Sequence, residues 1–407
     1  MILKQVYMNK TKVIDREMEK GVASGVFPCA DLLIAKDNEI IHHNWYGDAR
    51  KGTCFDIASL TKPVCTATLT LMLVEEKLLK LDDTVYSWLG GARQSDHKLI
   101  TVRHLLDHTS GLPAWMPYFQ ELPLDLIGTE AGKNFIFDSC FNEELLFPPG
   151  KKTVYSDIGY ILLGEIVEQA GRGLLDEIFA NRISKPLKLE DTFFMRSIGS
   201  PIRNTKKHTY ATADQHVPTP KHGLAGERPK LKKDEHRRFA PTEDCPWRER
   251  VVHGEVDDQN AYALGGVAGH AGLFSTAENL HRFINELTLS LYGKSDWLPK
   301  AILEESLDFN KVKNRRKKAG QKEEGLFICG WDTPSLHNSS SGRHFSTYSI
   351  GHLGYTGCSM WIDLKANYWV ILLTNRIHPT TTNEKIKAFR PKLHDLVYDM
   401  LKTLPNS

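Results

Sequence analysis

Strand-like and helix-like patterns are segregated along this chain. Alternating β-branched and aromatic residues fill its two ends, and helical apolar spacing fills the middle. Near the start, Cys29 to Tyr46 reads as two strands around an Asp37-Asn38 turn. Far along the chain, Leu326 to Trp331, Cys358 to Asp363 and Tyr368 to Thr374 read as strands, the last two joined at Lys365-Ala366-Asn367. Short amphipathic patterns flank them, at Val13 to Gly21 and from about Asn383 to Leu401. Between lie helical runs: Ser59 to Gly90, with Leu69, Met72, Leu73, Leu78 and Leu79 on one face, and Tyr155 to Gln169, ended by Gly171. Strands at both ends pair most simply with each other. The expectation is an α+β fold: one antiparallel sheet built from both termini, flanked by helices, with a mainly helical domain inserted.

At about 150 residues per domain, 407 residues suggest two or three compact units. The expected division is a discontinuous sheet domain, residues 1–60 with 275–407, and a helical domain, residues 61–274. Ligand pockets favour such junctions, so the cleft between the two is the expected site. Two basic segments, residues 203–250 and Lys311 to Glu324, read as solvated loops outside the core. A formal net charge of +2 is too mild to imply a nucleic-acid or membrane-surface partner, and aromatics that could stack bases are sparse in the basic runs. The expected partner is a small molecule or short peptide, and the sequence fixes no oligomeric state. Seven scattered cysteines without a C-x-x-C pair argue against a disulfide framework or a zinc site. No His, Cys, Asp or Glu cluster has metal-ligand spacing, so neither metal nor other cofactor is expected. The first residues lack a secretory pattern, and no apolar run approaches the roughly 18 residues of a membrane span, which points to a cytoplasmic location.

The chemistry concentrates in Ser59-Leu60-Thr61-Lys62. A hydroxyl and an amine three residues apart share a helix face and can meet. Serine is a poor nucleophile unless a neighbouring base takes its proton, and a desolvated lysine can be that base near neutral pH. Pro63 suits the first turn of a helix, where backbone N–H groups have no intrahelical partner and face an incoming oxyanion.

Further along come Tyr155-Ser156-Asp157 and His352-Leu353-Gly354, together with Thr101 to Leu112, Tyr155 to Gly164, Gly265 to Thr276 and Gly354-Tyr355-Thr356-Gly357. In this order and at these separations, the chain from about Ile57 to Thr374 resembles the serine β-lactamase and penicillin-binding protein superfamily. Within it the set is most similar to the class C β-lactamase-related branch, with its carboxypeptidase, D-aminopeptidase and esterase relatives. The resemblance implies that Ser59 is acylated, that Lys62 and Tyr155 share proton transfer, and that His352 fills the cationic corner usually held by lysine. It also implies an oxyanion hole from the backbone N–H groups of Ser59 and Tyr355, beside Gly354. Asp157 stands where many β-lactamases carry asparagine; beside Lys62 it is expected to keep the amine protonated. His104, His108 and His270 read as structural.

The resulting expectation is a serine hydrolase cleaving an ester or amide, including a D-amino-acid peptide or a β-lactam, through a Ser59 acyl-enzyme. Asp157 and His352 together disfavour a specialised β-lactamase. The rival is a silent scaffold or ligand-binding protein that keeps the fold, for which Ser59, Lys62 and Tyr155 would have no use.

Overall fold

The computed structural model describes residues 2–90, 95–197, 238–319 and 326–403. Twelve strands are used below: β1 (Cys29–Lys36), β2 (Glu39–Gly47), β3 (Phe55–Asp56), β4 (Phe193–Phe194), β5 (Glu243–Cys245), β6 (Arg250–Val252), β7 (Leu273–Ser275), β8 (Phe327–Ile328), β9 (Trp331–Asp332), β10 (Ser349–Leu353), β11 (Ser359–Asp363) and β12 (Tyr368–Thr374). The main sheet runs β2-β1-β12-β11-β10-β9-β8 and is antiparallel throughout. Its centre joins the two ends of the chain, with Ala30 opposite Thr374 and Lys36 opposite Tyr368. The Asp37-Asn38 turn closes β1 onto β2 with both residues at positive φ, the geometry of a two-residue hairpin.

β1 and β12 are buried along almost their whole length because helices cover both faces of the sheet. Residues of one parity, Leu32, Ile34, Val370 and Leu372, pack on Ile14 and Met18 of α1 (Ile2–Ala23) and on Phe389 and Leu393 of the C-terminal helix. Those of the other parity, Leu33, Ala35, Ile371 and Leu373, join a cluster that includes Phe283 and Ile284 and runs into the helical region through Leu69 and Ile161. The helices carrying these residues are α2 (Thr68–Glu75), α3 (Asp157–Gly171), α4 (Ala277–Leu291) and, at the C-terminus, α5 (Ile386–Leu401).

The structure corrects four readings of the sequence. The first helix is longer than the Val13–Gly21 pattern, extending over Ile2–Ala23. The helical pattern from Ser59 to Gly90 breaks after Glu75: Lys77 is left-handed, Leu78 is exposed, and a new short helix starts at Val85 behind a Thr84 cap. Of the basic segment 203–250, the part from Arg238 is no solvated loop. Phe239 packs edge-on against Phe274, its neighbours bond to Cys54, and β5 pairs with β6, because a few apolar anchors outweigh the surrounding charge. Residues 203–237 lie outside the described residues. Lys311 to Ala319 belongs to a helix, Phe309–Ala319, anchored by buried Val312, and residues 320–324 lie outside the described residues. Among the described residues, no helix is long and apolar enough to cross a membrane.

Candidate active site

The short β3 pairs with β7 and delivers the chain into a sharp turn. Ala58 is left-handed, φ 47°, although it carries a Cβ. Such a conformation persists only when its surroundings enforce it. Here Asp56 Oδ1 accepts the Ala58 N–H at 2.8 Å, the Ile57 N–H bonds to Leu273 O at 3.0 Å, and Thr61 Oγ1 accepts the Leu273 N–H at 3.2 Å. Ser59 sits on this turn, and a wide π-type turn over Lys62–Ala67 leads into α2.

Lys62 is fully buried. Its Nζ lies 3.0 Å from Ser59 Oγ and 3.1 Å from His270 O, to which it donates. Asp157 Oδ1 is 2.6 Å away, an ion pair. Burial pushes the Lys62 amine below the ordinary lysine range, while Asp157 and Asp258 push it the other way. The expected contact with Asp157 is present and acts upward on the amine as expected, but burial acts downward and is the larger effect, so the amine lies below the ordinary lysine range.

Tyr155 precedes α3, whose Ser156 cap accepts the Gly159 N–H. Its ring centre lies 4.8 Å from Lys62 Nζ, and Ser59 is among the groups that act on its phenol. Burial, reinforced by Asp157, raises the phenol well above the ordinary tyrosine range. The ring is held against His108, with centroids 4.5 Å apart, and Phe327, at 5.4 Å. His108 Nδ1 accepts the Ser156 N–H at 2.9 Å, and its own burial keeps it neutral.

His352, on β10, is 2% exposed and lies with Nδ1 2.9 Å from Leu353 O. Burial, with Lys62 adding repulsion, pushes its imidazole down to about 3. The cationic corner expected there is thus an uncharged one at physiological pH. Beyond it, Gly354 N–H bonds to Cys358 O and Gly357 N–H to Gly354 O, forming a tight turn that carries the exposed Tyr355. This turn abuts the nucleophile's. A Cβ on Gly354 would come within 2.6 Å of Ile57 O, and Thr356 Oγ1 donates to Asp56 O at 2.8 Å. Arg376 braces the turn from below, donating from Nε to Tyr355 O at 2.9 Å with its guanidinium 4.9 Å from the Tyr355 ring centre.

The sequence-predicted residues Ser59, Lys62, Tyr155 and Asp157 thus come together, and Gly354 with Tyr355 lies alongside through the Ile57–Ala58 contact. Residues the sequence reading passed over are Asp56 and Asp258, and it treated His270 as structural although its carbonyl touches Lys62. The available signal was Asp258-Gln259-Asn260, an N-cap pattern just ahead of the glycine-rich segment.

A family model described as Beta-lactamase matches residues 14–392. The chain belongs to the beta-lactamase family. Over 404 residues this beta-lactamase-family chain is 29% identical to an N-acetylmuramyl-L-alanine amidase from Bacillus subtilis (strain 168), covering 92% of this chain and 82% of the relative. It is 27% identical over 400 residues to an Escherichia coli (strain K12) protein named provisionally as a D-alanyl-D-alanine carboxypeptidase, covering 90% and 82%. Among solved structures, the hydrolase EstCE1, described as having promiscuous acyltransferase activity, superposes with a TM-score of 0.68 at 20% identity, covering 98% of this chain and all of that one. At that identity the match shows a shared fold. The fold is β-lactamase/transpeptidase-like, and the family's named relatives are hydrolases.

Proposed function

We propose that this protein is a serine hydrolase that cleaves an ester or amide through an acyl-enzyme on Ser59. The observation that carries the reading is the fully buried Lys62 amine 3.0 Å from Ser59 Oγ. Burial favours the neutral amine, so Lys62 can take the serine proton as Oγ attacks the substrate carbonyl carbon. Tyr155 is a poor candidate for that first step, since its environment holds the phenol protonated. Its place beside both Lys62 and Ser59 suits it to relay the proton from the lysinium to the leaving oxygen or nitrogen as the tetrahedral intermediate collapses. The carbonyl oxygen, negatively charged in that intermediate, would face the N–H groups of Ser59 and Tyr355. Water then attacks the acyl-enzyme, with the same groups moving the proton in reverse order.

The environment favours acyl donors without a carboxylate. Two carboxylates, Asp157 and Asp258, bear on Lys62, and the imidazole of His352 adds no positive charge. Arg376 donates from Nε to the Tyr355 carbonyl and from Nη1 to those of Thr381 and Asn383, which holds it on backbone beneath the turn. A panel of a short-chain aryl ester, a chromogenic cephalosporin and a D-alanyl-D-alanine peptide tests the reading. Turnover of the neutral ester should lead, and Ser59→Ala should abolish it. Persistent turnover in folded Ser59→Ala protein would overturn the assignment.

A further inference from the structure

A second buried network reaches Lys62 through the His270 carbonyl, and the mechanism above does not use it. Asp258 caps the short helix Gln259–Ala263, accepting the Ala261 N–H on Oδ1 at 2.8 Å. The same oxygen lies 2.9 Å from His270 Nε2. His270 is 1% exposed, and its backbone carbonyl is the group 3.1 Å from Lys62 Nζ. The segment leading to Asp258 is clamped from two sides. Asp56 Oδ2 accepts the Asp257 N–H at 2.7 Å, while Arg248, 9% exposed, donates to Val256 O at 2.7 Å and Asp257 O at 2.8 Å. Asp56 is also the carboxylate that holds the left-handed Ala58 beside Ser59. One connected set of hydrogen bonds therefore runs from the turn that carries the nucleophile, through Asp56, Asp257, Asp258 and His270, to the amine that activates it.

The glycines of this segment show how closely it is fitted. A Cβ on Gly269 would come within 2.1 Å of Tyr160 O, and Gly269 O accepts the Thr66 hydroxyl at 2.6 Å, one helical turn beyond Lys62. The backbone at 269–270 is thus pressed against α3 and tied to the helix that carries Lys62. The Asp258–His270 contact fixes it from the third side.

We propose that Asp258 and His270 are positioning residues for acylation: the pair fixes the His270 carbonyl on the Lys62 amine, and Asp258 is the second carboxylate that this amine faces. The electrostatics agree with the geometry. Asp258 is held down to about 2 against its own burial, by His270 first and with Lys62 contributing, so it is ionised across the working range. It acts on Lys62 in the same upward direction as Asp157. The amine also lies near Ser59, the protonated phenols of Tyr155 and Tyr160, and the buried neutral imidazoles of His108 and His352. None of these supplies a negative charge, so the pH response of the amine is set by burial and by these two carboxylates.

The inference rests on Lys62 being the base, and the experiment separates the two. Steady-state rates on a short-chain aryl ester are measured against pH for the parent, Lys62→Ala, Asp258→Asn, Asp258→Glu, His270→Ala and His270→Gln proteins, with thermal unfolding to establish folding. Lys62→Ala should lose activity whatever the dyad does; if it does not, the base assignment fails and takes the inference with it. Asp258→Asn should lower kcat about tenfold with little change in KM, and should move the rising limb of kcat/KM to lower pH by about half a unit or more. Asp258→Glu, which keeps the charge, should return the limb toward its parent position. His270→Ala should lower kcat, and His270→Gln, which keeps a donor for Asp258, should recover part of the loss. An inactive Lys62→Ala protein beside folded Asp258→Asn and His270→Ala proteins with parent-like kcat and an unmoved limb would overturn the dyad alone. Should Asp258→Asn fail to fold, the His270 pair and the Asp258→Glu limb decide the question.

Discussion

On the helical wall of the site, Lys62 meets Ser59, Asp157 and the His270 carbonyl within 3.1 Å. On the strand wall, His352 is almost as deeply buried, yet its Nδ1 lies against the adjacent Leu353 carbonyl and the ring stays neutral. Burial acts on both groups in the same direction, toward the uncharged form. The difference lies in the partners. Lys62 is offered two carboxylates and so keeps an amine that can take up a proton and release it, whereas His352 is offered none and becomes a shape. In the proposed mechanism proton transfer falls to the helical wall, and the strand wall contributes backbone: the Gly354–Gly357 turn, laid against Ile57 and braced by Arg376.

If that contrast holds, damage to the helical wall should cost most. Lys62→Ala should lower kcat on an aryl ester by about a hundredfold or more while the protein stays folded, the scale of losing a positioned base. Near-parent turnover would erase the distinction between the walls. The backbone of the strand wall comes next. Gly354→Ala places a Cβ 2.6 Å from the backbone oxygen of Ile57 and must shift the turn, so kcat should fall about tenfold in the folded protein and the melting temperature should fall as well. An unaffected kcat would mean that the turn is not part of the oxyanion site.

The third comparison is one of pH. With the neutral amine as the proposed base, activity should rise through the Lys62 titration, which Asp157 moves upward. Asp157→Asn should therefore shift the rising limb to lower pH by about one unit, measured as kcat/KM on one ester. Superimposable profiles would show that the ion pair is absent in solution. The smallest effect should come from His352→Gln, with ester turnover within about threefold of the parent. Its signature is in stability instead. The free imidazole titrates at 6.5 and the buried one at about 3, so between these values the unfolded chain binds a proton that the folded one refuses. The stability this contributes is present above pH 6.5 and is lost as pH falls toward 3. Urea midpoints at pH 7 and pH 4.5 should thus diverge less in His352→Gln than in the parent. An equal divergence would place the ring in water.

The sheet was legible in the sequence because β1, β11 and β12 are bounded by turn residues such as Asp37-Asn38 and carry dense β-branched and aromatic content. Ser59 and Lys62 were legible because their three-residue spacing implies their meeting, and Tyr155 through the resemblance of Tyr155-Ser156-Asp157 to the superfamily's second motif. The fate of the Lys62 charge was not, since a sequence names the partner Asp157 but not the burial that outweighs it. The Asp56, Asp258 and His270 network was hidden for a related reason: each link joins a side chain to a backbone group or side chain distant in sequence or set by local capping. The structured part of the basic segment was missed because three apolar positions, Phe239, Ala240 and Cys245, are few against its charges yet enough to anchor it.

The central claim is that Ser59 carries the acyl group. Acid-quenching the protein during turnover of a short-chain aryl ester, followed by intact mass and peptide mapping, tests it directly. The account predicts one added acyl group, located on the peptide containing Ser59 and absent from Ser59→Ala. An acyl group mapped to another residue, or turnover equal to the parent's in folded Ser59→Ala, would contradict it.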